Sequence, residues 1–312
     1  MVCLSKIAII GIGSVGATAA YALVAGDLAQ EIVLLDINRS RVEGEALDLG
    51  DSTTFTAPKR VFVGDYEDCH NAEIVVFTAG ANQRPGESRL ALVERNYGVL
   101  RDVLNKLQTY WHGGILIIVS NPVDVLTYAA AKTTGLEKNR VLGSGTILDS
   151  ARFRHALSIH VGVDARSIHA YVIGEHGDSA VPLWSRATVA GILLDDFCRQ
   201  RGIAVPDKET ITTSIRQAAY RIIERKGATY YAVGLAIRRI CEAILKDQNS
   251  VLTVSGLLEG QYGYANTAFS LPTVVGKNGR GTAIELPLDL EEKAALKRSA
   301  ALLKVAQERL GL

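Results

Sequence analysis

The chain has 312 residues, of which 48% are hydrophobic and 21% are charged, and its formal net charge is +1. This composition is typical of a soluble globular protein that is long enough for two domains. The near balance of charge gives no indication of nucleic acid or a membrane as a partner. The cysteines are far apart, which favours free thiols in a reducing cytosol over a zinc site or a disulfide framework. They are Cys3, Cys69, Cys198 and Cys241.

The first 36 residues follow the order strand, glycine turn, helix, strand and acid. Apolar runs at 7–10 and 32–35 predict buried strands, and the alanine-rich residues 17–25 predict a helix. The turn and the acid are Gly11, Gly13, Val15, Gly16 and Asp36. This order is the fingerprint of a dinucleotide-binding unit.

Each part of the fingerprint has a physical role. Gly11 permits a tight turn, Gly13 lets the backbone approach a pyrophosphate, and Gly16 allows the helix to pack closely on the strand. Asp36 can accept hydrogen bonds from a ribose diol, and it would repel the additional phosphate of NADP. A glycine turn made only for packing would leave the position of Asp36 to chance. We therefore predict NAD as the cofactor.

The remaining elements indicate an α/β protein. Strands are predicted at 60–63, 74–77, 115–119 and 140–142, with a helix over 88–108. After about Gly143 we predict a helix over 147–160 and an extended run over 167–173. A helical region over 207–246, broken near Gly227, and extended runs over 250–258 and 269–275 follow. A closing helix carries Leu296, Ala300, Leu303, Ala306 and Leu310 on one face. The fold predicted is a Rossmann-type doubly wound parallel sheet over residues 1–143, followed by a mixed α+β substrate domain over 144–312. The active site is expected in the cleft between them.

Four polar segments lie near predicted strand ends, where ligands bind in such sheets. They are residues 80–89, 120–124, 149–154 and 174–179. The first is long and contains Gly, Pro and Arg, which is typical of a mobile lid but also of a solvated loop. In the second, Pro122 keeps Asn121 out of the helical region, so the Asn121 amide either faces the cleft or only forms a turn.

The other two segments carry titratable groups. Helical spacing places Asp149 and Arg152 on one face and turns Arg154 away from it, although an ion pair within the helix would explain the same spacing. His176 stands between Gly174 and Gly177 in a segment exposed enough to contact a ligand. A lone histidine is more often structural.

Taken together and in this order, the glycine turn, the 80–89 loop, Ser-Asn-Pro-Val-Asp, Leu-Asp-Ser-Ala-Arg and Gly-Glu-His-Gly-Asp-Ser resemble the NAD-dependent L-lactate and malate dehydrogenase family over essentially the whole chain. Within that family the chain is most similar to the bacterial L-lactate dehydrogenases. The resemblance implies a cytoplasmic homotetramer that interconverts pyruvate and L-lactate with NAD. It also implies a catalytic His176 paired with Asp149, an Arg152 that binds the substrate carboxylate, a catalytic Arg89 that closes over the substrate, and an Asn121 that contacts the reacting oxygen and the cofactor.

Position 83 separates the two branches of the family. Malate enzymes carry an arginine at the position that matches Gln83, because burying the second carboxylate of a diacid unpaired is very unfavourable. The neutral Gln83 and the matching Glu175 and substrate-contacting Thr229 favour lactate. Malate or another 2-hydroxy acid is the alternative substrate, and a non-catalytic NAD-binding protein is the alternative from another class. Val233 matches a position against the nicotinamide, although a residue of the helix core would look the same.

A regulatory site is also implied by the resemblance. Arg154 and His169 match the positions through which bacterial L-lactate dehydrogenases bind fructose 1,6-bisphosphate. Basic groups that face away from the cleft fit a phosphate anchor. They fit a solvated surface equally well. No metal site is expected.

Overall fold

A computed structural model describes residues 5–81 and 89–311 of the chain, apart from the side chains of Arg89 and Leu90. The strands within these residues are β1 Lys6–Ile10, β2 Glu31–Leu35, β3 Arg60–Val63, β4 Ile74–Phe77, β5 Ile115–Ile118, β6 Val141–Gly143, β7 Ile168–His169, β8 Val172–Ile173, β9 Val181–Pro182, β10 Thr188–Val189, β11 Ile192–Leu193, β12 Ser250–Glu259, β13 Ala265–Gly276 and β14 Gly279–Ala283. The helices are α1 Ser14–Ala25, α2 Arg39–Ser52, α3 Arg89–Leu107, α4 Val123–Thr133, α5 Ile147–Val161, α6 Leu194–Arg201, α7 Lys208–Lys226, α8 Tyr231–Leu245 and α9 Leu290–Glu308.

The first six strands form a parallel sheet in the order β3-β2-β1-β4-β5-β6. Their side chains alternate between two apolar cores. Ile7 and Ile9 of β1 pack with α1, α2 and α8 on one face, whereas Ala8 and Ile10 pack with α3 and α4 on the other. A strand covered on both faces reads as a continuous apolar run, which is why these strands could be predicted from sequence. The predicted Rossmann-type fold is confirmed.

The later strands extend the same sheet. β12 pairs antiparallel with β6 through Ser255 and Gly143, and β13 and β14 continue outward from it. The run predicted at 167–173 divides into β7, which pairs with β10, and β8, which pairs with β9. The periodicity of one strand does not say which strand lies beside it. The mixed second half therefore shares one sheet with the first.

The helical predictions agree with the structure at the longer elements. The region from 207 to 246 divides into α7 and α8 around Gly227, whose φ of +81° favours glycine. In α9, Leu296, Ala300 and Leu303 are buried. Helix α2 was not predicted, because Val42 and Leu49 are its only buried residues and they give a weak apolar pattern. Within residues 5–81 and 89–311, no helix combines the length and the hydrophobicity that a membrane crossing requires.

Candidate active site

A cleft of about 360 Å³ opens at the carboxyl ends of β1, β4 and β5. Several residues singled out in the sequence line it together, namely Val15, Gly80, Asn121, Arg152, His176, Thr229 and Val233. They come from both halves of the chain. The cleft therefore brings the start of α1 and parts of all four polar segments into one site.

The glycine turn has the geometry that its sequence predicts. Gly11 has a φ of +101°, and a Cβ on it would lie 2.3 Å from the backbone nitrogen of Ala79. A Cβ on Gly16 would lie 2.0 Å from the carbonyl oxygen of Gly11, so the helix packs too closely for any side chain there. Gly13 instead borders open space, with nothing within 4 Å of its ideal Cβ. Since no side chain caps α1 at Gly13, the amides of its first turn remain available to a phosphate.

Asp36 follows β2 beside this turn. One carboxylate oxygen accepts the N–H of Ile12 at 2.6 Å, and the other accepts the N–H of Asn38 at 2.8 Å. These bonds hold the carboxylate in place at the end of the strand. Each oxygen retains a further lone pair, so Asp36 can still accept hydrogen bonds from a ribose.

The titratable centre of the cleft is formed by three side chains. His176 follows β8, and its Nδ1 lies 2.6 Å from Oδ2 of Asp149. Arg152, one helical turn after Asp149 on α5, donates to the other oxygen of the same carboxylate at 3.1 Å. Asp149 is buried, whereas the side chain of His176 is 25% exposed and that of Arg152 is 16% exposed. Asp149 thus orients both groups and leaves Nε2 of His176 and most of the guanidinium N–H groups of Arg152 for a ligand.

The electrostatics of this centre favour the imidazolium. Burial acts to lower the pKa of His176, but the Asp149 carboxylate outweighs it and raises the pKa to about 8. Burial likewise acts to raise the pKa of Asp149, and His176 and Arg152 together hold it below its ordinary value. The proton on His176 is therefore retained at neutral pH and can be released in mildly alkaline solution.

Helices α7 and α8 also contribute to the lining of the cleft. Thr229 lies between these helices, and Val233 lies in the first turn of α8. Val15, Ile147, Leu148, Val233 and Ala236 give the cleft much of its apolar lining. Apolar walls exclude water, and charged groups interact more strongly where water is excluded.

Two buried side chains at the site were missed in the sequence. Asn96 of α3 accepts the N–H of Ala81 at 2.9 Å and donates to the carbonyl of Asn121 at 2.8 Å. Asp124 of α4 accepts the backbone N–H of His176 at 2.7 Å. Asp124 belongs to a motif that the sequence indicated, but the motif did not reveal its partner.

The other predicted site residues lie elsewhere. Gln83 falls outside the described residues, and Arg89 begins α3 but its side chain is not described. Arg154 and His169 are not among the described residues that line the cleft. Within residues 5–81 and 89–311, no group of three or more His, Cys, Asp and Glu side chains is placed to hold a metal ion.

A comparison with known protein families shows the family of this chain. Residues 5–143 match the family model described as lactate/malate dehydrogenase, NAD binding domain, and residues 146–310 match that of its alpha/beta C-terminal domain. The chain belongs to the lactate/malate dehydrogenase family. Membership confirms the family prediction, the assignment as an NAD-dependent oxidoreductase and NAD as the cofactor.

Named relatives in this family match over nearly their full length. An L-lactate dehydrogenase of Thermoanaerobacter pseudethanolicus is 52% identical over 308 residues, covering 98% of this chain and 99% of that protein. One of Acetivibrio thermocellus is 48% identical over 303 residues, covering 96% of each. Among solved structures, a minor L-lactate dehydrogenase of Enterococcus mundtii superposes with a TM-score of 0.94 at 38% identity, covering 98% of each chain. A lactate dehydrogenase from a Medee basin deep-sea metagenome gives a TM-score of 0.96 at 40% identity, covering 99% of each.

Proposed function

We propose that the chain is an L-lactate dehydrogenase, which reversibly transfers hydride between NADH and pyruvate and releases L-lactate. The observation that carries this proposal is the arrangement of His176 and Arg152 on the two oxygens of one buried carboxylate, in the cleft that begins at the glycine turn. NADH oxidation on addition of pyruvate, followed by its absorbance, tests the proposal directly. Absence of turnover with pyruvate would contradict it.

The residues of the cleft divide the chemistry between them. NADH supplies the hydride when it is bound, and the carbonyl oxygen that becomes negatively charged then needs a proton. His176 donates that proton in the reduction and accepts it in the oxidation, because its pKa lies near the working pH. Asp149 keeps Nδ1 of the ring protonated and so leaves Nε2 to exchange the proton.

Two arginines are assigned to the substrate. Arg152 has a planar fork that matches a carboxylate in two hydrogen bonds, and only one of its contacts is made with Asp149. Arg89 and Asn121 act at the reacting oxygen, and Thr229 acts at the substrate end of the cleft. Gly11, Gly13, Val15, Gly16, Asp36, Asn121 and Val233 hold the cofactor. The division into a cofactor domain over 1–143 and a substrate domain over 144–312 belongs to the same proposal.

The pH dependence follows from the state of His176. Pyruvate reduction needs the imidazolium, so kcat/KM for pyruvate stays constant below pH 8 and falls about tenfold per pH unit above it, since the pKa is about 8. L-lactate oxidation needs the neutral ring, so its kcat/KM rises as the pH increases toward 8. Steady-state rates in both directions across the neutral and alkaline range measure these limbs. A flat pyruvate profile through pH 8 and above would show that the reduction does not depend on the imidazolium of His176.

The finer substrate assignment depends on Gln83. The two sequence relatives bear the name L-lactate dehydrogenase, and their full-length similarity supports pyruvate over oxaloacetate. The neutral side chain at position 83 agrees with this choice, since it offers no charge to a second carboxylate.

An effector site for fructose 1,6-bisphosphate is proposed at Arg154 and His169. Arg154 is half-buried on α5, where burial lowers its pKa and the nearby Tyr171 opposes that change. His169 is exposed, and burial alternates from residue 168 to 172, which places His169 and Tyr171 on the same side of the chain. The interaction of Arg154 with Tyr171, and the shared side of Tyr171 and His169, support a phosphate anchor to which both basic groups contribute.

This effector site makes a kinetic prediction. Fructose 1,6-bisphosphate should lower the apparent KM for pyruvate by about fivefold or more. The variants Arg154→Gln and His169→Gln should lose this response when pyruvate titrations are run with and without the bisphosphate. Arg166→Gln is the matched control, because Arg166 is exposed nearby and pairs with Asp164. An unchanged KM in the wild-type chain would contradict the effector proposal.

From the resemblance to bacterial L-lactate dehydrogenases we also propose a cytoplasmic homotetramer that acts in glycolysis and the fermentation of pyruvate.

A further inference from the structure

Asp124 is a buried carboxylate in the first turn of α4 and is 2% exposed. One of its oxygens accepts the backbone N–H of His176 at 2.7 Å. The hydroxyl of Ser270 on β13 donates to the other oxygen at 3.5 Å. Asp124 therefore connects the segment that carries Asn121 directly to the main chain of His176.

The loop at 174–176 is held at three successive residues. Gly174 exchanges two backbone hydrogen bonds with Ser270, at 2.9 and 3.0 Å. The N–H of Glu175 donates to the Ser299 hydroxyl at 2.8 Å. Both of these anchors are neutral, whereas the anchor of His176 is a carboxylate. A neutral acceptor would be enough to hold the loop, and a buried charge is very unfavourable without a compensating partner.

The compensating partner of the Asp124 carboxylate is the positively charged ring of His176. His176 faces Asp149 and Arg152 from α5 and Asp124 from α4, and Glu175 lies next to it in the chain. Burial raises the pKa of Asp124 to about 6, so the carboxylate is mostly ionised at neutral pH. Its negative charge adds to that of Asp149 in raising the pKa of His176.

We propose that Asp124 is a positioning residue for the reaction, which fixes the main chain of His176 and acts as a second buried carboxylate that favours the imidazolium. This inference rests on the proposed function. It assigns two carboxylates to His176: Asp149 is hydrogen-bonded to Nδ1 of the ring, and Asp124 accepts the backbone N–H of the same residue.

The variant Asp124→Asn tests the charge separately from the hydrogen bonds. The amide oxygen can still accept the N–H of His176, and the amide nitrogen can donate to the Ser270 hydroxyl. The midpoint of the alkaline fall in kcat/KM for pyruvate should move from about pH 8 to a value on the order of one pH unit lower. The NADH dissociation constant should change little, because Asp124 is hydrogen-bonded to His176 and Ser270 rather than to the glycine turn or Asp36.

Ser299→Ala is the matched control. It removes the anchor of the neighbouring Glu175 without removing a charge. Its kcat can fall through a less ordered loop, but its pH midpoint should remain at the wild-type value. A shift of the same size in Ser299→Ala would show that any loosening of the loop moves the midpoint, and it would overturn the role of the charge.

A readout independent of turnover separates this inference from the proposed function. NMR of protein labelled in the histidine rings gives the pKa of His176, assigned by the resonance that is missing in His176→Asn. A lower value in Asp124→Asn supports the proposal even if pyruvate is not the substrate, and an unchanged value overturns it. Asp124→Ser provides a second neutral variant. Failure of both neutral variants to fold would assign Asp124 to stability and would likewise overturn the proposal.

Discussion

The variant His176→Asn should lose turnover with pyruvate by about a hundredfold to ten-thousandfold, the range typical of removing a general acid. Asparagine has a similar polar side chain, and its backbone N–H can keep the bond to Asp124. It cannot donate a proton at neutral pH, so the negative charge on the reduced carbonyl oxygen is left without its acid. L-lactate oxidation should fall equally, because the same group acts as the base in that direction.

The affinity for NADH distinguishes this result from a damaged cleft. The glycine turn and Asp36 lie at the ends of β1 and β2 and do not depend on the ring, so the NADH dissociation constant, measured by fluorescence, should stay near the wild-type value. His112→Asn is the control, because His112 is exposed at the other end of the chain's parallel strands, just before β5. A kcat for His176→Asn within tenfold of the wild type would mean that another group supplies the proton.

The local features of the site could be predicted because they depend on neighbours in sequence. The fingerprint from Gly11 to Asp36 requires a tight turn, a close approach of the backbone to the pyrophosphate, and an acid, all within one β-α-β unit. Each requirement is met by a particular residue type at a fixed position in the sequence. The pairing of Asp149 with Arg152 follows from helical spacing alone. These local features do not depend on which strands pair with one another in the sheet.

The pairing of His176 with Asp149 shows where local reasoning ends. The two residues are 27 positions apart, and their hydrogen bond exists because α5 and β8 pack against each other. From the sequence, their pairing was predicted only through the resemblance to a family. Asp124 and Asn96 were missed for the same reason, since their partners lie 52 and 25 residues away.

The sheet shows the same limit on a larger scale. The apolar runs that form β12 and β13 were predicted as extended, but the pairing of β12 with β6 was not predicted. Antiparallel pairing is determined by long-range packing, and the contact of Ser255 with Gly143 leaves no periodic signal in either segment. The positions of Thr229 and Val233 in the lining of the cleft depend in turn on how α7 and α8 pack against α1, α5 and β13.

The variant Gln83→Arg should shift the preference of the enzyme from pyruvate toward oxaloacetate. Position 83 lies outside the described residues, so this prediction depends on the sequence pattern and on the charge of the substrate. Oxaloacetate carries a second carboxylate where pyruvate has a methyl group, and an unpaired carboxylate in a closed cleft is very unfavourable. An arginine supplies a planar fork for that carboxylate, and a charge-assisted pair contributes about 1.5–3 kcal/mol.

The ratio of kcat/KM for oxaloacetate to that for pyruvate should therefore rise roughly tenfold to a hundredfold, because the pair forms with one substrate and the arginine faces a methyl group with the other. Asn82→Arg is the matched control, since it adds the same charge at the adjacent position. An equal rise in that control would attribute the change to attraction of a dianion by the net charge of the loop. A ratio that does not change in Gln83→Arg would mean that other residues exclude the diacid, and the preference for pyruvate would then have to come from the shape of the cleft near Thr229.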